Sequence, residues 1–251
     1  MIVNDVKYLD IISSEEMNLR SNIIKFKSSF DIFLRLDDLY ELPLSTAINN
    51  ETDGVVPGLY LLVISKLYFS VSCLLRGHMS EGFAATRGAL DASLTAYKII
   101  LHPETKAAYL RREWSYQNIK STIKNELESD PSKYPLAATL IELHEMCSQH
   151  ASHADVSVLH HRTIVHKQEG TEKRLLEFKY YDFPNDDAIY RGVIADLLSA
   201  FHSMLLIFQP FIAEKFSIQP VDWNGEIENI GVIIRDEQFK AGEYIKQLKV
   251  T

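Results

Sequence analysis

Six of the nine histidines in this 251-residue chain fall in one stretch, HEMCSQHASHADVSVLHHRTIVH, residues 144–166. Imidazoles exchange protons near neutral pH and are the commonest metal ligands. His144, Cys147, His150 and His153 lie three residues apart. Three helical residues turn through about 300°, so each step drifts back by about 60° and all four cannot face one ion. Neighbours can. His150 and His153 are the candidate metal ligands on that argument, with a third ligand to come from Asp155, His160, His161 or another helix. The competing reading is a packed joint, because Cys147 and His150 continue the apolar stripe of Leu136, Leu140 and Leu143. The packed joint is preferred, so no cofactor is expected, and a divalent metal is the exception that the histidines allow.

Arg87 and Asp91 are the second chemical feature. They stand one turn apart in EGFAATRGALDASLTAYKIILH, a segment otherwise built of small and apolar residues. Phe83, Arg87, Asp91 and Leu94 fall along one helical line, so both charges point toward the core. Burying either charge without a partner would cost several kcal/mol. Arg before Asp is also the poorer order for a local helical pair. A partner outside the helix is therefore expected, and the histidines beyond residue 143 are the natural source. The candidate site is Arg87 to bind an anion, Asp91 to orient an imidazole, and His150 or His153 as general base or metal ligand. A purely structural polar joint competes with it.

No complete catalytic motif accompanies these residues. The chain has no glycine-rich phosphate loop, no GxSxG elbow and no CxxC. His144-Glu145 opens like HExxH, but Ser148 stands where the second histidine must be. Ser121 and Lys124 match SxxK without its companion motifs.

Taken together, RGALDASLTAYKI (87–99) and LHEMCSQHASHADVSVL (143–159) resemble bacterial helical proteins of unknown function. Their pattern is an Arg followed one turn later by an acid in a small-residue helix, then a helix end with Ser and a His before a small residue. Arg87 and Asp91 match the first part, with Asp where Glu is commoner. Ser148 or Ser152, and His150 or His153, match the second. The resemblance spans about residues 55–215 and implies a helical bundle without a known reaction. A more distant resemblance is to the HEPN class of helical ribonucleases, marked by Arg, four to six residues, then His. Arg162 and His166 depart from it, with three residues between them.

The elements that must position these groups are mostly helical by periodicity. Residues 14–42 predict one helix, Pro57 opens a second that stops near Gly77, and Ser80 caps a third that ends at His102-Pro103. Residues 104–129 predict a fourth, more polar helix. A fifth follows Pro135. The segment 162–181 alternates like a β-hairpin. A long sixth helix runs from Pro184–Asp187 to Phe216. A turn at Trp223-Asn224-Gly225 precedes a last helix near 236–248. The expected fold is all-α, an antiparallel bundle of six to seven helices with a small inserted hairpin. It forms one domain over 1–251, with its core in 55–216 and a tail from 217.

Composition narrows the function. A net charge of −8 weighs against a nucleic-acid coat. Two cysteines in apolar helical contexts fit a reducing cytoplasm. The N-terminus lacks the layout of a signal peptide. The apolar stretches 59–75 and 193–208 are interrupted by Lys66, Asp196 and His202, so they read as buried helices rather than membrane spans. The expectation is a soluble bacterial interaction protein, self-associating, with a protein or small-molecule partner. Small side chains in residues 82–96 would let two helices approach closely. The alternative is an Arg87/Asp91/His enzyme, a hydrolase or HEPN-like ribonuclease.

Overall fold

The computed structural model describes residues 2–45, 54–113, 116–130, 132–151, 163–167, 174–181, 186–215 and 220–248. Among these residues there are nine α-helices and one antiparallel strand pair. The class is all-α, and the helix count exceeds the expected six to seven because two of the expected helices are each split in two.

The first lies at the N-terminus. The helix expected over 14–42 starts at Ile2 and is broken into α1, Ile2–Lys25, and α2, Lys27–Glu41. The break falls at Phe26, whose backbone leaves the helical region while its ring buries against Tyr190, 5.0 Å between centroids. The second lies in the polar segment. A 3-10 turn at Pro103–Thr105 and a short α5, Lys106–Leu110, precede a turn in which Arg112 adopts φ 58°, before α6, Tyr116–Ser129. The fully buried apolar residues of this region, Ile119 and Ile123, belong to α6, while α5 meets the core through the partly buried Tyr109, so the two pieces are anchored separately. The tail departs from expectation without adding a helix: it is one helix, α9, Pro220–Leu248, with no turn at Trp223–Gly225. Trp223 is buried, its indole N–H donates to the Leu39 carbonyl at 3.1 Å, and Ile227, Ile230 and Ile234 continue its stripe. That stripe overrides the local turn propensity of Asn-Gly.

The centre of the fold is α3, Val55–Arg76, against α4, Met79–Leu101. Gly77, at φ 92°, closes α3 with bonds from Gly77 N–H to Leu74 O and from His78 N–H to Cys73 O, each 2.8 Å. Glycine takes that left-handed conformation without a steric penalty. The small residues of α4 are used within the chain. A Cβ on Gly82 would lie 3.1 Å from Leu74 Cγ, and the Ser70 hydroxyl donates to Gly82 O at 2.6 Å. The close helix approach expected from these residues therefore joins α4 to its own neighbour α3.

Helix α4 also packs on α6, on α7 (Ala137–Ala151) and on α8 (Asp187–Lys215). Asp186 caps α8, its Oδ1 accepting from Ala188 N–H at 2.7 Å. Strands β1, Thr163–Lys167, and β2, Arg174–Phe178, pair in antiparallel register with Val165 opposite Leu176. One cluster of buried side chains runs through α2, α3, α4, α6, α7, α8 and α9. By length and composition α3 and α8 could each cross a membrane, yet more than half of each apolar window is buried in the fold.

Helix α9 lies close on α8 at Gly231. His202 Nε2–H donates to Ile227 O at 2.9 Å, and burial pulls the His202 pKa below its usual range. A Cβ on Gly231 would fall 2.6 Å from His202 Cε1. Gly231→Ala is expected to destabilise the fold by about 1–3 kcal/mol, more than its gain in helix propensity, because the buried ring must move and loosen its bond. Urea denaturation measures it, and an unchanged midpoint would refute the tight contact.

Candidate functional site

Helices α4 and α7 run antiparallel, and a row of polar side chains lines their seam. At one end His150 stacks on Phe83, with centroids 4.8 Å apart and planes 25° apart. Next, Cys147 lies close enough to Arg87 to feel its charge. Burial outweighs that pull and pushes the Cys147 thiol up to about 12, so it remains an inert thiol. One turn further along α4, Asp91 Oδ1 meets His144 Nε2 at 2.9 Å. The other ring nitrogen, Nδ1, lies 3.0 Å from Lys120 Nζ of α6. An ammonium only donates, so Nδ1 accepts, and the proton on Nε2 points to the carboxylate. Ser148 Oγ donates to His144 O at 2.7 Å and stands 3.4 Å from Nδ1.

The imidazole that meets Asp91 is thus His144, not His150. A drift of about 60° per three residues separates the two along α7. His144 faces α4 and is 5% exposed, whereas His150 is exposed. Arg87 and Asp91 are both half-buried. His153, and with it Asp155, His160, His161 and Arg162, lies outside the described residues. Among the described residues no three of His, Cys, Asp and Glu converge on a point that could hold a metal ion. His166 is on β1, where its Nε2 pairs with Glu177 Oε2 across the strands at 2.7 Å, exposed to solvent.

Further along the same face of α4 is a cluster that the sequence did not reveal. Lys98 Nζ donates to both oxygens of Glu126, at 2.7 and 2.9 Å, and to Tyr134 Oη at 2.8 Å. Tyr134 Oη–H in turn donates to Glu126 Oε2 at 2.6 Å, and Lys133 lies 3.0 Å away. Burial alone would raise the Glu126 carboxyl, but these donors outweigh it and hold it at about 2. The position of Lys98, seven residues after Asp91, is legible as sharing its face. Its partners are not, since they depend on how α6 and the turn after it fold onto α4.

A third polar group gathers where α1 meets the α3–α4 turn. Glu15 accepts from His78 Nε2 and from Tyr180 Oη, each at 3.0 Å. These residues, with Ser72, Arg76, Glu81 and Phe69, line an open groove of about 440 Å³. Comparison with protein-family models, with curated proteins and with solved structures found no match for this chain.

Proposed function

We propose that this chain is a soluble cytoplasmic interaction protein that associates with a second copy of itself, and that the α4–α7 seam is a brace. One observation carries the reading: the outer face of α3 presents large apolar side chains to solvent, with charged groups at its rim, where Glu41 accepts from Tyr68 Oη at 2.9 Å and Glu15 and Arg76 share a groove with Phe69. Leu61, Leu62, Tyr68 and Phe69 are 39–55% exposed, with Gly58 and Ser65 exposed between them. Lys66, the one charged residue within α3 before Arg76, lies off this face, its side chain beside Gly88 of α4. Contiguous apolar surface of this kind marks an interaction site. A chain of net charge −8 meets its own copies with least repulsion where apolar side chains outnumber acidic ones, as they do on this face.

The seam suits bracing because both nitrogens of His144 are engaged and the ring is buried, leaving none to take a substrate proton. A second reading, a hydrolase or HEPN-like ribonuclease, keeps one observation in its favour. His150 is exposed and stacked on Phe83, one turn from Arg87.

Light scattering across the micromolar range tests the proposal. The mass is expected to rise toward that of a dimer, and Leu61→Glu or Phe69→Glu to hold it at the monomer with unchanged helical circular dichroism. A wild-type monomer at every concentration refutes self-association. A monomer that floats with neutral phosphatidylcholine vesicles would move the face to a membrane surface instead.

A further inference from the structure

We infer that the second copy docks with its α3 antiparallel to the first, about a two-fold axis at Ser65. This rests on the self-association reading above and adds the geometry of the contact. At 100° per residue, Gly58, Ser65 and Ser72 fall near the midline of the outer face of α3, exposed at Gly58 and Ser65 and half-buried at Ser72. Leu61 and Tyr68 flank them on one side, Leu62 and Phe69 on the other. Small residues thus recur every seven positions on the contact line, with large ones on both flanks. Such a face lets a second helix approach along the small residues while the large side chains pack beside it.

The order of residues selects the direction. In an antiparallel pair about Ser65, the two-fold axis reverses the order along the seam and keeps each flank on its own side. On the midline Gly58 then meets Ser72, while Leu61 packs beside Tyr68 on one flank and Leu62 beside Phe69 on the other. Small faces small, and each leucine is matched by an aromatic. The two ends of the seam then have equal bulk. A parallel pair would instead set four leucines at one end and four aromatics at the other, which splays the helices.

Charge points the same way. Arg76 continues the midline one turn after Ser72, and its guanidinium bonds the Ser72 hydroxyl. A parallel pair would bring the two Arg76 side chains together, a juxtaposition of like charges that interfaces avoid. The antiparallel pair holds them at opposite ends, each facing the uncharged start of the other α3. Four half-exposed side chains per copy make a narrow seam, well below the roughly 800 Å² per partner of a standard interface. The association is therefore of the weak, reversible class.

Disulfide trapping of the full chain reads the register directly. In the antiparallel arrangement position 65 meets itself, whereas 58 meets only 72. Ser65→Cys under a mild oxidant is expected to form a covalent dimer about a hundredfold faster than Gly58→Cys or Ser72→Cys alone, because the docked thiols react at high effective concentration. Mixing Gly58→Cys with Ser72→Cys is expected to restore fast cross-linking between the two variants. Wild-type chain, with Cys73 and Cys147 both buried, is the background control. Fast self-linking at 58, 65 and 72 alike means a parallel pair and overturns the inference. A dimer by light scattering whose thiols at these positions never link also overturns it, while leaving self-association intact. A monomer in both assays removes the two together.

Discussion

Glu126→Ala is expected to lower the free energy of unfolding by about 3 kcal/mol, the low end for breaking a buried ion pair. The low end applies because Glu126 keeps a quarter of its side chain in solvent, while Lys98 keeps 9%. Removing the carboxylate strips Lys98 of two hydrogen bonds and leaves its ammonium with the Tyr134 oxygen alone. Lys98→Met placed on top of Glu126→Ala is expected to recover much of the loss, since it removes the unpaired charge and keeps the aliphatic length. Urea denaturation of the three variants measures this, and additive losses would refute the coupling. The same group predicts an acid limb. The folded-state pKa of Glu126, about 2, lies below its unfolded value of 4.5. Its contribution is therefore complete above pH 4.5 and is lost as pH falls from there toward 2. In Glu126→Ala that limb should flatten, and an unchanged acid profile would count against the assigned network.

The helices that could be read from sequence were those whose apolar stripe belongs to one buried face. Helix α3 is apolar nearly all round, and the sequence places it centrally between Pro57 and Gly77, as found. What the sequence could not separate was which part of that surface stays open, since Leu59 and Leu61 are the same residue type and only packing distinguishes the buried from the exposed one. Phe26 and Trp223 moved the helix boundaries for a related reason. Their partners, Tyr190 and the Leu39 carbonyl, lie more than 160 residues away in the chain. The polar seam was legible in kind, as an Arg-Asp helix that needs a partner from the histidine-bearing helix. The choice of His144 over His150 was not. Both lie near the stripe of Leu140 and Leu143, and only the crossing of α7 over α4 decides which ring faces Asp91. Lys120 was invisible as a partner because nothing in α6 marks the one lysine that reaches inward.

Asp91→Ala is expected to destabilise the chain by about 2 kcal/mol, the penalty for leaving a buried N–H of His144 without an acceptor. Asp91→Asn keeps an oxygen at the same place and should lose less than half of that. Lys120→Met should also lose less, about 1 kcal/mol, because the Ser148 hydroxyl, 3.4 Å from Nδ1, can turn from the His144 carbonyl to serve that nitrogen. The decisive measurement is a double-mutant cycle. Asp91→Ala combined with His144→Phe removes both polar partners at once, so the pair should cost clearly less than the sum of the single losses. The parallel cycle of Asp91→Ala with His150→Phe should be additive, since His150 stacks on Phe83 two turns away along α4. Coupling to His150 instead of His144 would mean that the exposed imidazole reaches Asp91 in solution. That result would transfer the weight of the argument from a brace to an acid–base pair open to a substrate.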